Sequence, residues 1–439
     1  MVHSCRLFVC IFAFTVAIAP AQNASKPPKI AIRAASMIDG KSDKTIANAV
    51  ILIEGDKISA VGSGLAIPPD AKVIDLKNLT LMPGLIDVHT HLLLEMDGAD
   101  VTLQDVEMLK AVATLSTAER ALLGAKLGRE DLEAGITTVR DLGNSGVNGD
   151  VALAEAIDNG WIPGPRIVPA TRALAAPGGQ FGRLIPEVQH VIEQEYVTLN
   201  GADSARQAVR QALYNGARCI KVIVNGSPAN VTLDEMKAIV DEAHKADVKV
   251  AAHAIGDKAT RIAAEAGADS IEHAYIIADD TLKMMAQKQI FLVPTDGTVD
   301  EYLRMSLGNR TPTTEERKKQ EEMFKPYVTG NRDRLQRALK MNVPIAMGSD
   351  MYLTMPNETR GQASLDVIDA YVEEGMTPVQ IIHAATSNAA ELLGWQAQVG
   401  TLEAGKYADI IAVAGDPLKD VTTLKHAQFV MKGGTVVKQ

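Results

Sequence analysis

Pro83-Gly84-Leu85-Ile86-Asp87-Val88-His89-Thr90-His91 joins a turn signal to a short apolar run that ends in two histidines one residue apart. Such a run reads as a strand, and alternate side chains of a strand share a face, so His89 and His91 point the same way. Further short β-branched runs follow at 136–142, 166–170, 219–224, 248–253, 270–273, 290–294 and 344–347. Amphipathic stretches such as 203–215, 233–246 and 279–288 separate them. Eight strands alternating with helices predict an α/β chain, specifically a (β/α)8 TIM-like barrel over 81–395. An open doubly wound sheet is the competitor, but no Gly-x-Gly-x-x-Gly turn follows the first strand.

Outside this stretch the pattern changes. Runs at 30–34, 49–54, 57–61 and 72–75 are broken by Asp39-Gly40, Gly55-Asp56 and Pro68-Pro69, and similar runs return at 408–414 and 429–437. They predict a small β-sandwich domain built from both chain ends, 28–80 plus 396–439. The charged stretch 296–336, with helical composition at 315–322 and 331–337, reads as a helical insertion after the seventh strand.

The first residues form a separate unit. Arg6 precedes an apolar run over 7–19, and Ala19-Pro20-Ala21 supplies small residues at cleavage spacing. This predicts a signal peptide over 1–21 and an exported mature chain, periplasmic or secreted. The run is too short for the roughly 20 residues of a spanning helix, so no membrane span is expected in the mature chain. Cys5 and Cys10 fall inside it, which leaves Cys219 without an intramolecular disulfide partner. The chain has 439 residues, 46% of them hydrophobic and 22% charged, enough for a large core. A net charge of −10 argues against nucleic acid as a partner. A small-molecule substrate is the partner expected; a homo-oligomeric assembly stays open.

Ionisable side chains recur at the ends of the predicted strands. Two neutral imidazoles a pleat apart, His89 and His91, can hold one metal ion, and barrel active sites sit at the strands' carboxyl face. Lys221 lies within the apolar run Cys219-Ile220-Lys221-Val222-Ile223-Val224. A buried ammonium there costs several kcal/mol unless neutralised or paired. Either a carboxylate pairs with it, or the neutral amine takes up carbon dioxide as a carbamate. His253, His273 and Asp350 end three later runs. Any one could be structural; six together point to a site. Arg140 and Asp141 end the second run and are candidates for a supporting salt bridge. His383, on a predicted helix, reads as structural.

The set His89, His91, Lys221, His253, His273 and Asp350 resembles the binuclear amidohydrolase superfamily, more narrowly its imidazolonepropionase-like and Xaa-Pro dipeptidase-like branch. The resemblance extends through Gly135-Ile136-Thr137-Thr138-Val139-Arg140-Asp141, Ala251-Ala252-His253-Ala254, Ser270-Ile271-Glu272-His273, Met347-Gly348-Ser349-Asp350 and Gly400-Thr401-Leu402-Glu403-Ala404-Gly405. It implies two divalent metal ions. His89, His91 and Asp350 would hold the more buried ion, and His253 and His273 the more exposed one. A carbamate on Lys221 would bridge them. Zinc is the default for such ligands, with cobalt or manganese as substitutes. Hydroxide formed between the ions would attack the carbonyl, and Asp350 would be the catalytic base and then acid.

The implied reaction is cleavage of an amide or peptide-type C–N bond, in a dipeptide or N-acyl amino acid. A lactone or organophosphate ester hydrolase could use the same site. Cyclic-amide hydrolases and deaminases with one metal generally lack the bridging lysine. A non-catalytic scaffold would be expected to have lost ligands, whereas all six stand here. Where many relatives carry Gly-Gly-His-Gly, this chain reads Gly178-Gly179-Gln180-Phe181-Gly182, which makes Gln180 a candidate for substrate contact. Tyr275 and Tyr352, just beyond metal-ligand candidates, are further candidates for the pocket lining.

Overall fold

The computed structural model describes residues 28–97, 104–181, 183–225, 229–308 and 310–439. The signal segment expected over 1–21 lies outside them. No helix among the described residues is long and apolar enough to cross a membrane.

Both chain ends enter one seven-stranded sheet. Its order is Thr435–Lys438, Phe429–Lys432, Ile410–Ala414, Lys72–Pro83, Lys29–Met37, Ile46–Glu54 and Lys57–Ser63. The 12-residue strand Lys72–Pro83 joins the two halves, running parallel to Lys29–Met37 and antiparallel to Ile410–Ala414. Ile58, on one edge strand, shares a core with Ile32, Ile51 and, from beside the other edge, Phe429 and Met431, so the sheet curls over itself. The sandwich expected from the sequence is thus hydrogen-bonded as a single curled sheet, because its central strand is long enough to serve both halves.

The residues between carry parallel strands. Leu85–Thr90, Ile136–Asp141 and Arg166–Pro169 pair in that order. Cys219–Ile223, Lys249–Ala254, Ser270–His273 and Phe291–Val293 pair in a second sheet, whose far edge adds Ala173–Ala175 and Tyr196–Thr198. Seven of the eight expected strands are therefore present as ladders. The stretch expected at 344–347 forms only an isolated bridge between Ile345 and Leu292. Pro344 has no N–H to contribute, and Met347 donates to Ala384 O at 2.9 Å rather than to a strand. The stretch still touches both sheets, since Leu292 N donates to Pro344 O and Val88 N to Met347 O, each at 2.9 Å.

Helices alternate with these strands, among them Ala202–Tyr214, Leu233–His244 and Asp279–Lys288. Several begin with a reciprocal cap, such as Thr232 with Glu235, which satisfies two N–H groups that the first turn leaves open. The charged stretch after Phe291–Val293 forms two helices, Val299–Leu307 and Thr314–Lys340. The second continues through Pro326, where the sequence suggested two shorter pieces.

The curled sheet is fixed to the parallel strands by Arg166. Its guanidinium meets Asp409 through two bonds, at 2.8 and 3.1 Å, and lies 3.7 Å from the Tyr407 ring centroid. Asp409 is almost fully buried, at 4% side-chain exposure, so removing its partner strands a carboxylate. Arg166→Ala is expected to cost roughly 3–5 kcal/mol, and Arg166→Lys to recover only part because it lacks the planar fork. Urea midpoints of the three proteins check this.

Candidate active site

The strand Leu85–Thr90 carries His89, and His91 follows it directly. Asp350 reaches them from 344–350, where its backbone N–H donates to His89 O at 2.7 Å. A Cβ on Gly348 would meet Val293 Cγ1 at 2.5 Å and His89 Cβ at 2.7 Å, so the approach requires glycine. The Nε2 atoms of His89 and His91 then converge on Asp350 Oδ1, at 3.3 and 3.1 Å. Ligand atoms of these three residues lie within 4.8 Å of one another.

The remaining sequence-predicted residues join the same group. Lys221 Nζ is 3.4 Å from His89 Nε2. His273 Nδ1 is 3.8 Å from Asp350 Oδ2, and its ring lies 4.6 Å from that of His253 and 5.1 Å from that of His89. All six line one cavity of about 790 Å³. His273 and Asp350 adopt left-handed backbone, with φ of 71° and 53°, as does Thr295 at 54°. Such conformations cost roughly 1–3 kcal/mol each and cluster where a site needs unusual side-chain directions.

Hydrogen bonds fix which nitrogen of three of the four rings can bind a cation. His89 Nδ1 donates to Glu272 Oε2 at 2.8 Å, and His91 Nδ1 to Gly143 O at 2.9 Å. Thr295 Oγ1 gives its own proton to Pro294 O, so it accepts from His273 Nδ1 at 2.7 Å. In His89, His91 and His273 the engaged Nδ1 leaves Nε2 as the nitrogen open to a cation, while His253 Nε2 lies 3.4 Å from Asn225 Nδ2. His273 Nε2 is buried and has no hydrogen-bond partner among the described residues. A buried acceptor left over in this way fits a cation. Burial and the Lys221 ammonium push His253 down to about 3, and burial beside His253 holds His273 well below its ordinary value. Although burial works against ionisation of Asp350, the neighbouring His89 and His91 hold its carboxyl well below the usual range.

Lys221 is buried at 2% exposure on strand Cys219–Ile223. The buried lysine–carboxylate pair considered above does not form: among the described residues its ammonium makes no ion pair within 4.0 Å. Burial lowers the amine to about 8, so roughly a tenth of it is neutral at pH 7.

Supporting residues went unassigned in the sequence. Glu272, fully buried, links His89 to Arg140, whose Nη2 donates to Glu272 Oε1 at 2.9 Å and whose Nε donates to Val88 O at 2.6 Å. Burial opposes ionisation of Glu272, but the Arg140 guanidinium and His89 outweigh it and take the carboxyl down to about 2. The salt bridge considered between Arg140 and Asp141 is absent: neighbours on a strand face opposite ways. Asp141 instead accepts from Leu92 N and Ser145 Oγ, both at 2.8 Å. Asp87 accepts from His89 N at 3.0 Å and from Ser349 Oγ at 2.6 Å, tying the histidine strand to the Asp350 segment. Its position two residues before His89 was the available signal.

The three candidate substrate contacts also line the cavity. Tyr196 Oη donates to Gln180 Oε1 at 3.0 Å, Tyr275 Oη lies 3.5 Å from His273 Nδ1, and the Tyr352 ring packs 5.8 Å from that of His91. His383 stands outside the cavity and faces Asp43 at 3.3 Å. Cys219 is free and buried.

Comparison with known proteins identifies the family. The chain is 30% identical to the ochratoxinase of Aspergillus niger over 445 aligned positions, covering 93% of this chain and 87% of that one. It is 26% identical to the imidazolonepropionase of Symbiobacterium thermophilum, covering 84% and 82%. A crystal structure of a Xaa-Pro dipeptidase with methionine bound in its active site superposes with a TM-score of 0.77 at 29% identity, covering 94% of this chain and all of that one. Residues 80–437 match the model of the amidohydrolase family. The chain belongs to the amidohydrolase family and is a hydrolase acting on carbon–nitrogen bonds.

Proposed function

We propose that the protein cleaves an amide or peptide-type C–N bond in a dipeptide or N-acyl amino acid. The convergence of the His89 and His91 Nε2 atoms on one Asp350 oxygen, with Lys221 Nζ beside them, carries this reading. In it, His89, His91 and Asp350 would hold one divalent ion and His253 and His273 a second, and a carbamate on Lys221 would supply further oxygen donors. Zinc suits the mixed nitrogen and oxygen donors. Cations held there supply Lewis acidity, lowering the pKa of water and polarising a carbonyl.

The chain's own residues divide the remaining work. Asp350, kept ionised by its histidine neighbours, accepts the proton of the attacking water and returns it to the departing nitrogen. An amine leaves poorly without that proton. Glu272, Gly143 and Thr295 hold the imidazoles in the tautomer that presents Nε2. The neutral fraction of Lys221 is the form that can react with carbon dioxide.

The same reading takes the two parallel sheets as one (β/α)8 barrel over 81–395, with 28–80 plus 396–439 as its companion domain. The hydrogen bonds from Leu292 and Val88 to 344–347 support closure. Export after loss of 1–21 completes the proposal.

Metal-loaded protein offered dipeptides, N-acyl amino acids, lactones and phosphotriesters is expected to turn over the C–N substrates and to stop when a chelator removes the metal. Turnover of the esters alone would overturn the amide reading. Asp350→Asn should lower kcat about 10²–10⁴-fold on whichever amide is cut. Gly348→Ala should push Asp350 away from His89 and weaken metal affinity by ~10–100-fold, measurable by competition with a coloured chelator.

A further inference from the structure

The two helices after strand Phe291–Val293 place large side chains against the cavity. Tyr302 and Met305 come from Val299–Leu307, and Met323, Phe324 and Tyr327 from Thr314–Lys340. Met323 and Tyr327 are four residues apart and therefore share a helix face. They are 51% and 36% exposed, unusual for large apolar groups on a helix that buries Phe324 and Val328 beside them.

The rings form a continuous series leading away from the candidate metal ligands. The His273 and Tyr275 rings lie 5.5 Å apart, Tyr275 and Tyr327 5.1 Å, Tyr327 and Tyr302 5.4 Å, and Tyr302 and Phe324 5.5 Å. The contacts of Tyr327 with Tyr275 and Tyr302 are edge-to-face, at 64° and 71°. This arrangement leaves ring surface available for another aromatic group.

The wall is held in place from behind. Arg334, buried on the same helix as Tyr327, donates to Asp296 at 2.5 Å, and both side chains are fully inaccessible. Asp296 follows Thr295, the residue that orients His273. Tyr302 Oη also accepts from Gly297 N at 3.1 Å. The helices are thereby tied to the strand end that supplies part of the reactive group. A preorganised apolar wall of this kind selects ligands by shape and apolar surface.

We infer that this wall is a subsite for an aromatic side chain, so that the amides cleaved best carry an aryl group. The inference rests on the amide reading above and narrows its substrate class. Tyr327 is the central specificity determinant, because its ring bridges the site-proximal Tyr275 and the outer Tyr302.

Two measurements on the metal-loaded protein test it. The first compares kcat/KM for N-acetyl-phenylalanine, N-benzoyl-alanine and N-acetyl-alanine. At least one aryl amide should exceed N-acetyl-alanine tenfold or more. Tyr327→Ala should reduce that margin mainly through KM, and Tyr327→Phe should retain it. The second measures calorimetric binding of phenylalanine and alanine, which requires no bond to be cut. Phenylalanine should bind at least tenfold tighter in the unmodified protein and in Tyr327→Phe, with the difference lost in Tyr327→Ala. Equal binding of the two amino acids, or a preference untouched by Tyr327→Ala, would overturn the subsite. Failure of all three amides with the binding preference intact would instead overturn the amide reading and leave the subsite standing.

Discussion

Four imidazoles, an amine and a carboxylate buried together would each lose several kcal/mol of hydration if they stood alone. What makes the arrangement tenable is a set of directional bonds that orient three of the imidazoles. Arg140 neutralises Glu272, Glu272 accepts a hydrogen bond from His89 Nδ1, and His89 Nε2 is the nitrogen that faces Asp350. Gly143 O and Thr295 Oγ1 do the same for His91 and His273. Charge is compensated one layer below the cavity, so the surface that meets substrate is rich in electron-pair donors.

This constraint explains features of the fold that would otherwise look arbitrary. The stretch 344–347 forms only a bridge, yet it must deliver Asp350 close against His89, and Gly348 leaves just enough room. Left-handed backbone at His273, Thr295 and Asp350 turns each side chain at a strand end, where a regular pleat would alternate them. The curled sheet at the other side of the molecule contributes none of the six groups; through Arg166 and Asp409 it secures the strands that do.

Much of this was legible in the sequence. His89 and His91 share a face because a strand has a period of two, the later histidines and Asp350 each end a short run, and Lys221 stands out as an ammonium inside an apolar one, so pattern brought six residues into one hypothesis. What spacing could not convey was second-layer chemistry. Glu272 and Asp87 lie inside quoted runs, but their partners, Arg140 and Ser349, are distant in sequence, and Arg140 reaches Glu272 from a different sheet. For the same reason Arg140 was offered its sequence neighbour Asp141, from which strand alternation separates it. The aromatic wall was hidden in a stretch that read as charged surface. Its lysines and glutamates dominate composition, while Tyr302, Phe324 and Tyr327 come into line only once two helices pack together.

The claim on which the account turns is that Lys221 completes a two-ion centre instead of serving as a buried structural cation. Counting divalent metal per chain by elemental analysis, in bicarbonate-containing buffer, addresses it directly for the unmodified protein and for Lys221→Ala. Two ions per chain in the first and one or none in the folded variant is the predicted result. A full complement of two in Lys221→Ala, or no more than one in the unmodified protein, would contradict it.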